Sequence, residues 1–169
     1  MAGARGTRIA RVLIIGCGGR GQALARELAA AGHAVRGTTR DPARADAIAA
    51  AGAEPYVGDP DRIATLMEAL AGVTVVAWLL GSAGGDGAAE LHAGRLRMLC
   101  EKLVDTPVRG LLYEGAGTLG DEVLTGGAEI VRAAAATWNI PIAVLTTPPE
   151  DCEAWTADAV TAVRRLLGG

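Results

Sequence analysis

The sequence predicts an α/β fold, a doubly wound parallel sheet of about six strands between two layers of helices. Two observations lead to this prediction. Short apolar runs bounded by glycine alternate with amphipathic stretches along the whole chain, which is the pattern of repeated βαβ units. Half of the 169 residues are apolar, and Phe is absent. The core must therefore be aliphatic, which suits helices packed closely on a parallel sheet.

The first βαβ unit opens the predicted fold. The run RVLII at 11–15 is short, apolar and followed by glycine, which indicates a buried strand. The next stretch, 20–32, carries leucines on one face and ends on glycine, as helices commonly do. A second strand is predicted at 33–39, with the sequence HAVRGTT.

Two further segments begin with the same dipeptide. Asp41 precedes Pro42, and Asp59 precedes Pro60. Aspartate is a favourable N-cap and proline suits the first position of a helix. The elements predicted from this signal are a helix at 41–52, a strand at 53–59 and a helix at 59–72.

The second half of the chain continues the alternation. The remaining strands are predicted at 73–81, 107–115 and 140–147, and the remaining helices at 88–104, 121–139 and 148–169. The fourth strand is apolar apart from Thr74, so we expect it at the centre of the sheet. The apolar side of the last helix consists of Trp155, Ala159, Ala162, Val163 and Leu166. No linker or repeat interrupts the pattern, which predicts one domain over 1–169.

Composition excludes several classes of partner. The net charge of −3 gives no electrostatic reason to expect nucleic acid or an anionic membrane. The apolar runs fall short of the ~20 residues that span a bilayer, and the N-terminus lacks a signal-peptide pattern. Cys17, Cys100 and Cys152 are far apart and form no CxxC, so we expect neither a disulfide nor a metal site. The sequence predicts a soluble, cytoplasmic protein.

A glycine-rich loop follows the first strand. Gly16, Gly18 and Gly21 fit G-x-G-x-x-G between a predicted strand and a predicted helix. In that context the first glycine permits a tight turn, the second lets a pyrophosphate approach the backbone, and the third lets the helix pack on the sheet. The alternative is a loop of turn and packing glycines only. The residues predicted to hold the phosphates are Gly16, Cys17, Gly18, Gly19, Arg20 and Gly21.

Cys17 lies within this loop and allows two interpretations. A helix N-terminus can lower the pKa of a thiol and make it reactive. Free cysteine also behaves as a small buried apolar residue, and we expect Cys17 to be a small side chain tolerated beside the cofactor.

The end of the second strand bears on which dinucleotide binds. NAD sites usually place a carboxylate there to bind the ribose 2′-hydroxyl, and none occurs between Glu27 and Asp41. The same window carries two cations and two hydroxyls, namely Arg36, Thr38, Thr39 and Arg40. Arginine binds a 2′-phosphate well, because its guanidinium donates charge-assisted hydrogen bonds. The presence of Arg40, assisted by Thr39, therefore indicates NADP(H) rather than NAD(H). The alternative is that Arg40 is a solvated charge beside a helix.

The stretch from Val12 to Asp59, VLIIGCGGRGQALARELAAAGHAVRGTTRDPARADAIAAAGAEPYVGD, resembles the first half of the atypical short-chain dehydrogenase/reductases. These are NAD(P)-binding, Rossmann-like proteins also grouped with NAD(P)-dependent epimerases and dehydratases. The resemblance extends to about Leu145. It implies that Asp59 contacts the adenine amino group, although Asp59 also fits a helix N-cap. It further implies that three residues after the fourth strand, Leu80, Gly81 and Ser82, line the cofactor near its ribose and nicotinamide side.

The catalytic motif of that family is absent. Reduction in the family generally depends on Tyr-x-x-x-Lys, but the two tyrosines, Tyr56 and Tyr113, are followed four residues later by Pro60 and Gly117. The single lysine is Lys102. The family's extended members also carry a C-terminal substrate-binding part, whereas about twenty residues follow the sixth predicted strand here. We therefore expect no separate substrate domain.

Tyr113 is the one candidate for a catalytic residue. Together with Glu114 it closes the fifth predicted strand, and ligands of doubly wound folds bind at the carboxyl ends of the strands. Tyr113 could donate a proton to a carbonyl group while Glu114 adjusts it. The alternative, which we prefer, is that the tyrosine packs its ring at the strand end with its hydroxyl in water.

Two functions fit these observations. The first is an NADPH-dependent oxidoreductase acting on an unknown small-molecule substrate. The second is a dinucleotide-binding module without turnover, which senses redox state or serves as a partner subunit. The glycine loop supports both, and the missing motif favours the second. The family resemblance also implies a homodimer through the long helices.

Overall fold

The computed structural model describes residues 9–168. Six parallel strands form one sheet in the order β3-β2-β1-β4-β5-β6. The strands are β1 (Arg11–Ile15), β2 (Ala34–Thr39), β3 (Glu54–Val57), β4 (Val75–Trp78), β5 (Gly110–Glu114) and β6 (Ile142–Leu145). The strand order reverses between β1 and β4, and this is the point at which doubly wound sheets bind ligands. The predicted fold class is confirmed.

Helices cover both faces of the sheet. They are α1 (Gly19–Ala30), α2 (Ala45–Ala50), α3 (Gly94–Leu103), α4 (Asp121–Trp138) and α5 (Cys152–Gly168). Alternate residues of each strand point to opposite faces, so β1 contributes to two cores. Leu13 and Ile15 join the core under α3 and α4. Val12 and Ile14 join the core under α1, α2 and α5, where Trp155 is completely buried.

The helix predicted at 59–72 is wrong. The structure has two short 3-10 helices there, Ile63–Leu66 and Glu68–Leu70. The Thr65 hydroxyl bonds the backbone of Asp59 and Arg62, and side-chain bonds of this kind compete with helical ones. The Arg36 guanidinium also donates a hydrogen bond to the Ala69 carbonyl oxygen at 2.6 Å. The backbone groups that a continuous helix needs are therefore engaged elsewhere.

The helix predicted at 88–104 is interrupted at Ala93. A 3-10 helix, Ala88–His92, precedes the break, and Ala93 has φ −129° and ψ −105°, outside the helical range. The interruption turns His92 into the core, where it is 2 % exposed and hydrogen-bonded through both ring nitrogens. The burial of His92, with both ring nitrogens hydrogen-bonded, explains why the helix is interrupted at Ala93.

The segment predicted as a helix at 41–52 begins as a 3-10 turn, Pro42–Arg44, before α2. The predicted cap is present, because the Asp41 carboxylate accepts a hydrogen bond from the Ala43 amide at 2.9 Å. Capping by Asp and Pro therefore fixes where a turn starts, whereas the length of helix that follows depends on packing.

Two adjacent glycines in α4 predict opposite effects of the same substitution. A Cβ on Gly127 would lie 2.5 Å from Cζ of Tyr113, whereas one on Gly126 would meet no atom within 4 Å. We expect Gly127→Ala to lower the free energy of unfolding by about 1–3 kcal/mol through overpacking. Gly126→Ala, the matched control, should raise it by up to about 1 kcal/mol through helix propensity. Urea denaturation measures both, and equal effects would show that α4 does not lie on Tyr113 in this way.

Candidate functional site

A cleft of about 490 Å³ opens at the carboxyl ends of β1 to β4. It lies where the strand order reverses. The lining residues are Gly16, Cys17, Gly18, Gly19, Arg20, Gly21, Thr38, Thr39, Arg40, Asp41, Arg44, Gly58, Pro60, Leu79, Leu80, Ser82, Ala83 and Gly84. The cleft thus brings together most of the residues that the sequence singles out.

The glycine loop has the geometry that a phosphate-binding turn requires. Gly16 has φ +87°, and a Cβ there would lie 2.5 Å from the Leu79 carbonyl oxygen. Gly18 precedes α1 without a side-chain cap, and a Cβ there would meet no atom within 4 Å. Gly21 lies against Gly16 and β1, since its Cβ would be 3.1 Å from Ile14. The uncapped helix N-terminus presents backbone N–H groups and a partial positive charge to the open cleft.

Cys17 anchors this loop to β2. Its amide donates to the Thr38 carbonyl at 3.1 Å, and its side chain is 3 % exposed. A Cβ on Gly37 would lie 2.7 Å from Sγ of Cys17, so the thiol occupies the space above that glycine. Burial raises the pKa of the Cys17 thiol to about 11. The environment fits a packing role, and the helix N-terminus does not make this thiol acidic.

The three thiols should therefore differ in reactivity. Burial also raises the pKa of Cys100 to about 11, whereas Cys152 is exposed. At pH 8 less than about 1 % of a thiol with this pKa is thiolate, the reactive form. We expect a disulfide reagent to modify one thiol quickly in the native protein and three after denaturation. Cys152→Ser should abolish the fast reaction, and persistence of that reaction would contradict the burial of Cys17.

The end of β2 carries two free cations. Arg40 and Arg44 line the cleft with exposed side chains, and neither forms an ion pair within residues 9–168. The Asp41 carboxylate also lies here but accepts the Ala43 amide. Arg44 was not predicted from the sequence. The sequence offers only one indication that Arg44 belongs to the site. It lies four residues after Arg40, at the end of the turn that begins at Pro42.

The other polar residues of this strand have structural partners. Thr38 is 2 % exposed, and its hydroxyl accepts the Gly16 amide at 3.4 Å. The Thr39 hydroxyl bonds the backbone of Asp41. Arg36 lies outside the cleft, because its guanidinium forms an ion pair with Glu54 at 3.2 Å and donates a hydrogen bond to the Ala69 carbonyl oxygen. Of the two cations in the predicted window, the cleft therefore contains Arg40 and not Arg36.

Residues after β3 and β4 complete the cleft. Gly58 and Pro60 line it, while Asp59 between them accepts the Asp61 amide at 2.9 Å through its carboxylate. Asp59 is thus a turn cap beside the cleft, and contact with adenine stays an expectation. Leu80 and Ser82 line the cleft, whereas Gly81 is buried and donates its amide to Glu114 at 2.8 Å.

Arg20 has a partner that the sequence does not reveal. Its guanidinium makes two hydrogen bonds to the Glu114 carboxylate, at 3.2 and 3.0 Å, and lies 5.7 Å from the centre of the Trp155 ring. Glu114 is completely buried. The predicted role of Glu114 beside Tyr113 is therefore replaced by one in which it connects α1 to the end of β5.

Tyr113 does not reach the cleft. Its ring is completely buried, and its hydroxyl lies 2.6 Å from Nδ1 of His92, whose Nε2 lies 2.9 Å from the Leu80 carbonyl oxygen. Burial, and then the charge of Glu114, raise the pKa of the tyrosine. Burial lowers the pKa of His92, although its bond to Leu80 and the charge of Glu114 oppose this. The expected solvated hydroxyl is wrong, and Tyr113 is not placed to protonate a ligand.

The described residues, 9–168, contain no group of three or more His, Cys, Asp or Glu side chains that could hold a metal ion. Within the same range, every helix is too short or too polar to cross a bilayer.

Comparisons with known proteins show the family and the fold of the chain. The sequence model of a family described as NAD(P)H-binding matches residues 16–140, whereas no curated protein matches the chain. A UDP-glucose 4-epimerase from Brucella ovis, solved with NAD, is similar in structure, with 15% identity, a TM-score of 0.65 and coverage of 81% of this chain and 51% of that one.

Two further solved structures are similar. A short-chain dehydrogenase from Streptomyces avermitilis has 18% identity and a TM-score of 0.64, with 84% of this chain and 65% of that chain covered. A triphenylmethane reductase from Citrobacter sp., complexed with NADP(H), has 20% identity and a TM-score of 0.62, with 80% and 49% covered. This chain spans about half the length of the reductase and the epimerase. The predicted resemblance and fold are confirmed.

Proposed function

The chain belongs to the NAD(P)H-binding family whose sequence model it matches over residues 16–140, and from that premise we propose that it binds NADP(H) in preference to NAD(H). The two cofactors differ only by the phosphate on the adenosine ribose. The preference must therefore come from the residues that face this ribose, which in doubly wound folds is bound beyond the end of the second strand.

The observation that carries the proposal is the pair of exposed arginines at this position. Arg40 and Arg44 line the cleft and have no ion-pair partner within residues 9–168. A 2′-phosphate would supply the missing counter-charge through charge-assisted hydrogen bonds. The Asp41 carboxylate beside them accepts the Ala43 amide and so caps the turn that leads to Arg44.

We further propose that the chain holds the cofactor without a proton relay of its own. Tyr113 is buried outside the cleft, and Lys102 is exposed on α3 and does not line the cleft. A tyrosine and lysine acting together on a bound carbonyl compound cannot be assembled from these side chains. A redox sensor or a partner subunit fits this arrangement better than a self-sufficient reductase.

Calorimetric titration with NADPH and NADH tests the cofactor preference. We expect NADPH to bind at least about tenfold more tightly, the effect of roughly 1.4 kcal/mol. Equal affinities, or tighter binding of NADH, would contradict the proposal.

A separate assay tests the absence of turnover. The protein is incubated with NADPH and a panel of small aldehydes and ketones, and the absorbance of NADPH is followed. We expect no consumption above the rate without protein. Consumption would instead support an oxidoreductase, the function suggested by the fold shared with the triphenylmethane reductase, and would leave the cofactor preference intact.

A further inference from the structure

The cleft covers only part of the sheet edge. Its lining residues follow β1, β2, β3 and β4, and among residues 9–168 none of those after β5 or β6 lines it. Doubly wound folds consist of two halves, each of which holds one nucleotide of a dinucleotide. Here the half formed by β1 to β3 is open, and the cleft ends at the loop after β4.

The loops after β4 and β5 are joined directly, which closes the space between them. The Gly81 carbonyl accepts the Leu119 amide at 3.3 Å, and the Ser82 hydroxyl accepts the Thr118 amide at 3.3 Å. Gly81 also contacts Gly117 so closely that a Cβ on either residue would overlap the other loop. A flat ring cannot enter between two backbones at this separation.

The ion pair between Arg20 and Glu114 closes the same end from the side of the glycine loop. Arg20 extends from the start of α1 to the end of β5, where Glu114 accepts both of its hydrogen bonds and the Gly81 amide. A bidentate pair of this kind has fixed geometry. The three loops that meet here, after β1, β4 and β5, are therefore held together over the second half of the sheet.

We infer that this chain recognises NADP(H) through its adenosine 2′,5′-bisphosphate group and leaves the nicotinamide half outside the cleft. The inference rests on the proposed preference for NADP(H) and goes further by naming the part of the ligand that is recognised. It follows that ligands carrying an adenosine 2′,5′-bisphosphate group bind whether or not nicotinamide is attached. The reduced ring of bound NADPH is then accessible to solvent or to a second protein surface.

Titration with fragments of the cofactor tests this inference. The ligands are NADPH, adenosine 2′,5′-bisphosphate, ADP and reduced nicotinamide mononucleotide. We expect the bisphosphate to bind within about threefold of NADPH, ADP to bind at least about tenfold more weakly, and the mononucleotide to show no measurable binding. The fluorescence of the reduced nicotinamide should keep its free emission maximum when NADPH is bound, because the ring stays in water.

The outcomes separate the two proposals. NADPH binding more than about thirtyfold tighter than the bisphosphate, together with a blue-shifted nicotinamide emission, would overturn the inference and leave the NADP(H) preference standing. Failure of both NADPH and the bisphosphate to bind would overturn the proposed function and the inference with it. As a control on the binding pose, Arg40→Ala should weaken NADPH and the bisphosphate by the same factor. Unequal factors would mean that nicotinamide changes the pose, which contradicts the inference.

Discussion

Replacing both Arg40 and Arg44 with alanine is expected to lower the affinity for NADPH by about 100-fold and that for NADH by less than about threefold. Both side chains line the cleft and are exposed. Each charge-assisted hydrogen bond to a phosphate contributes about 1.5–3 kcal/mol. The two losses should partly overlap because both arginines face one ligand group. NADH lacks the 2′-phosphate, so it has nothing to lose there.

Matched controls separate specific recognition from a general loss of positive charge. Arg132 on α4 and Arg165 on α5 are exposed and do not line the cleft. Replacing both with alanine therefore removes the same two positive charges and should leave both affinities unchanged. Calorimetric titration at one ionic strength measures the three proteins, since phosphate binding depends on salt. A parallel loss of NADPH and NADH affinity in the double variant would show that the arginines contact a shared part of the cofactors. The proposed preference would then be wrong.

The parts of the site that depend on local sequence could be predicted. The strand at 11–15 has the predicted bounds, and Gly16 adopts the positive φ expected of a tight turn. The Asp41 cap is present as well. These features are determined by residues a few positions apart, so the pattern of glycines, prolines and apolar side chains is sufficient to find them.

Features that depend on distant residues could not be predicted. Arg20 and Glu114 are 94 positions apart, and only the fold shows that they meet. The sequence places Tyr113 near the end of a predicted strand. In the fold, α4 covers its ring at Gly127, and its hydroxyl is hydrogen-bonded to His92. The segment at 59–72 has a helical composition, yet Arg36 from β2 donates a hydrogen bond to one of its backbone carbonyl groups. In each case tertiary contacts override the local preference.

Removing the Glu114 carboxylate is expected to produce a large loss of stability. Glu114→Ala leaves the Arg20 guanidinium without its two acceptors and the buried Gly81 amide without its acceptor. Loss of one partner of a buried ion pair costs about 3–5 kcal/mol. The Arg20 side chain keeps 27% exposure and can turn to water, so we expect the lower end of that range. At about 2–4 °C per kcal/mol for a chain of this size, the melting temperature should fall by about 6–12 °C.

An exposed ion pair of the same length provides the control for this prediction. Arg95 and Asp61 are 3.0 Å apart with side chains 36% and 54% exposed, and exposed pairs contribute only about 0–1 kcal/mol. Asp61→Ala should therefore change the midpoint of urea denaturation little, whereas Glu114→Ala should lower it at an unchanged slope. In a double-mutant cycle, Arg20→Ala should cost less when Glu114 is already alanine, because the two side chains act as a unit. Additive costs would mean that each side chain stabilises the fold separately, and the loops after β1 and β5 would then not be held together by this pair.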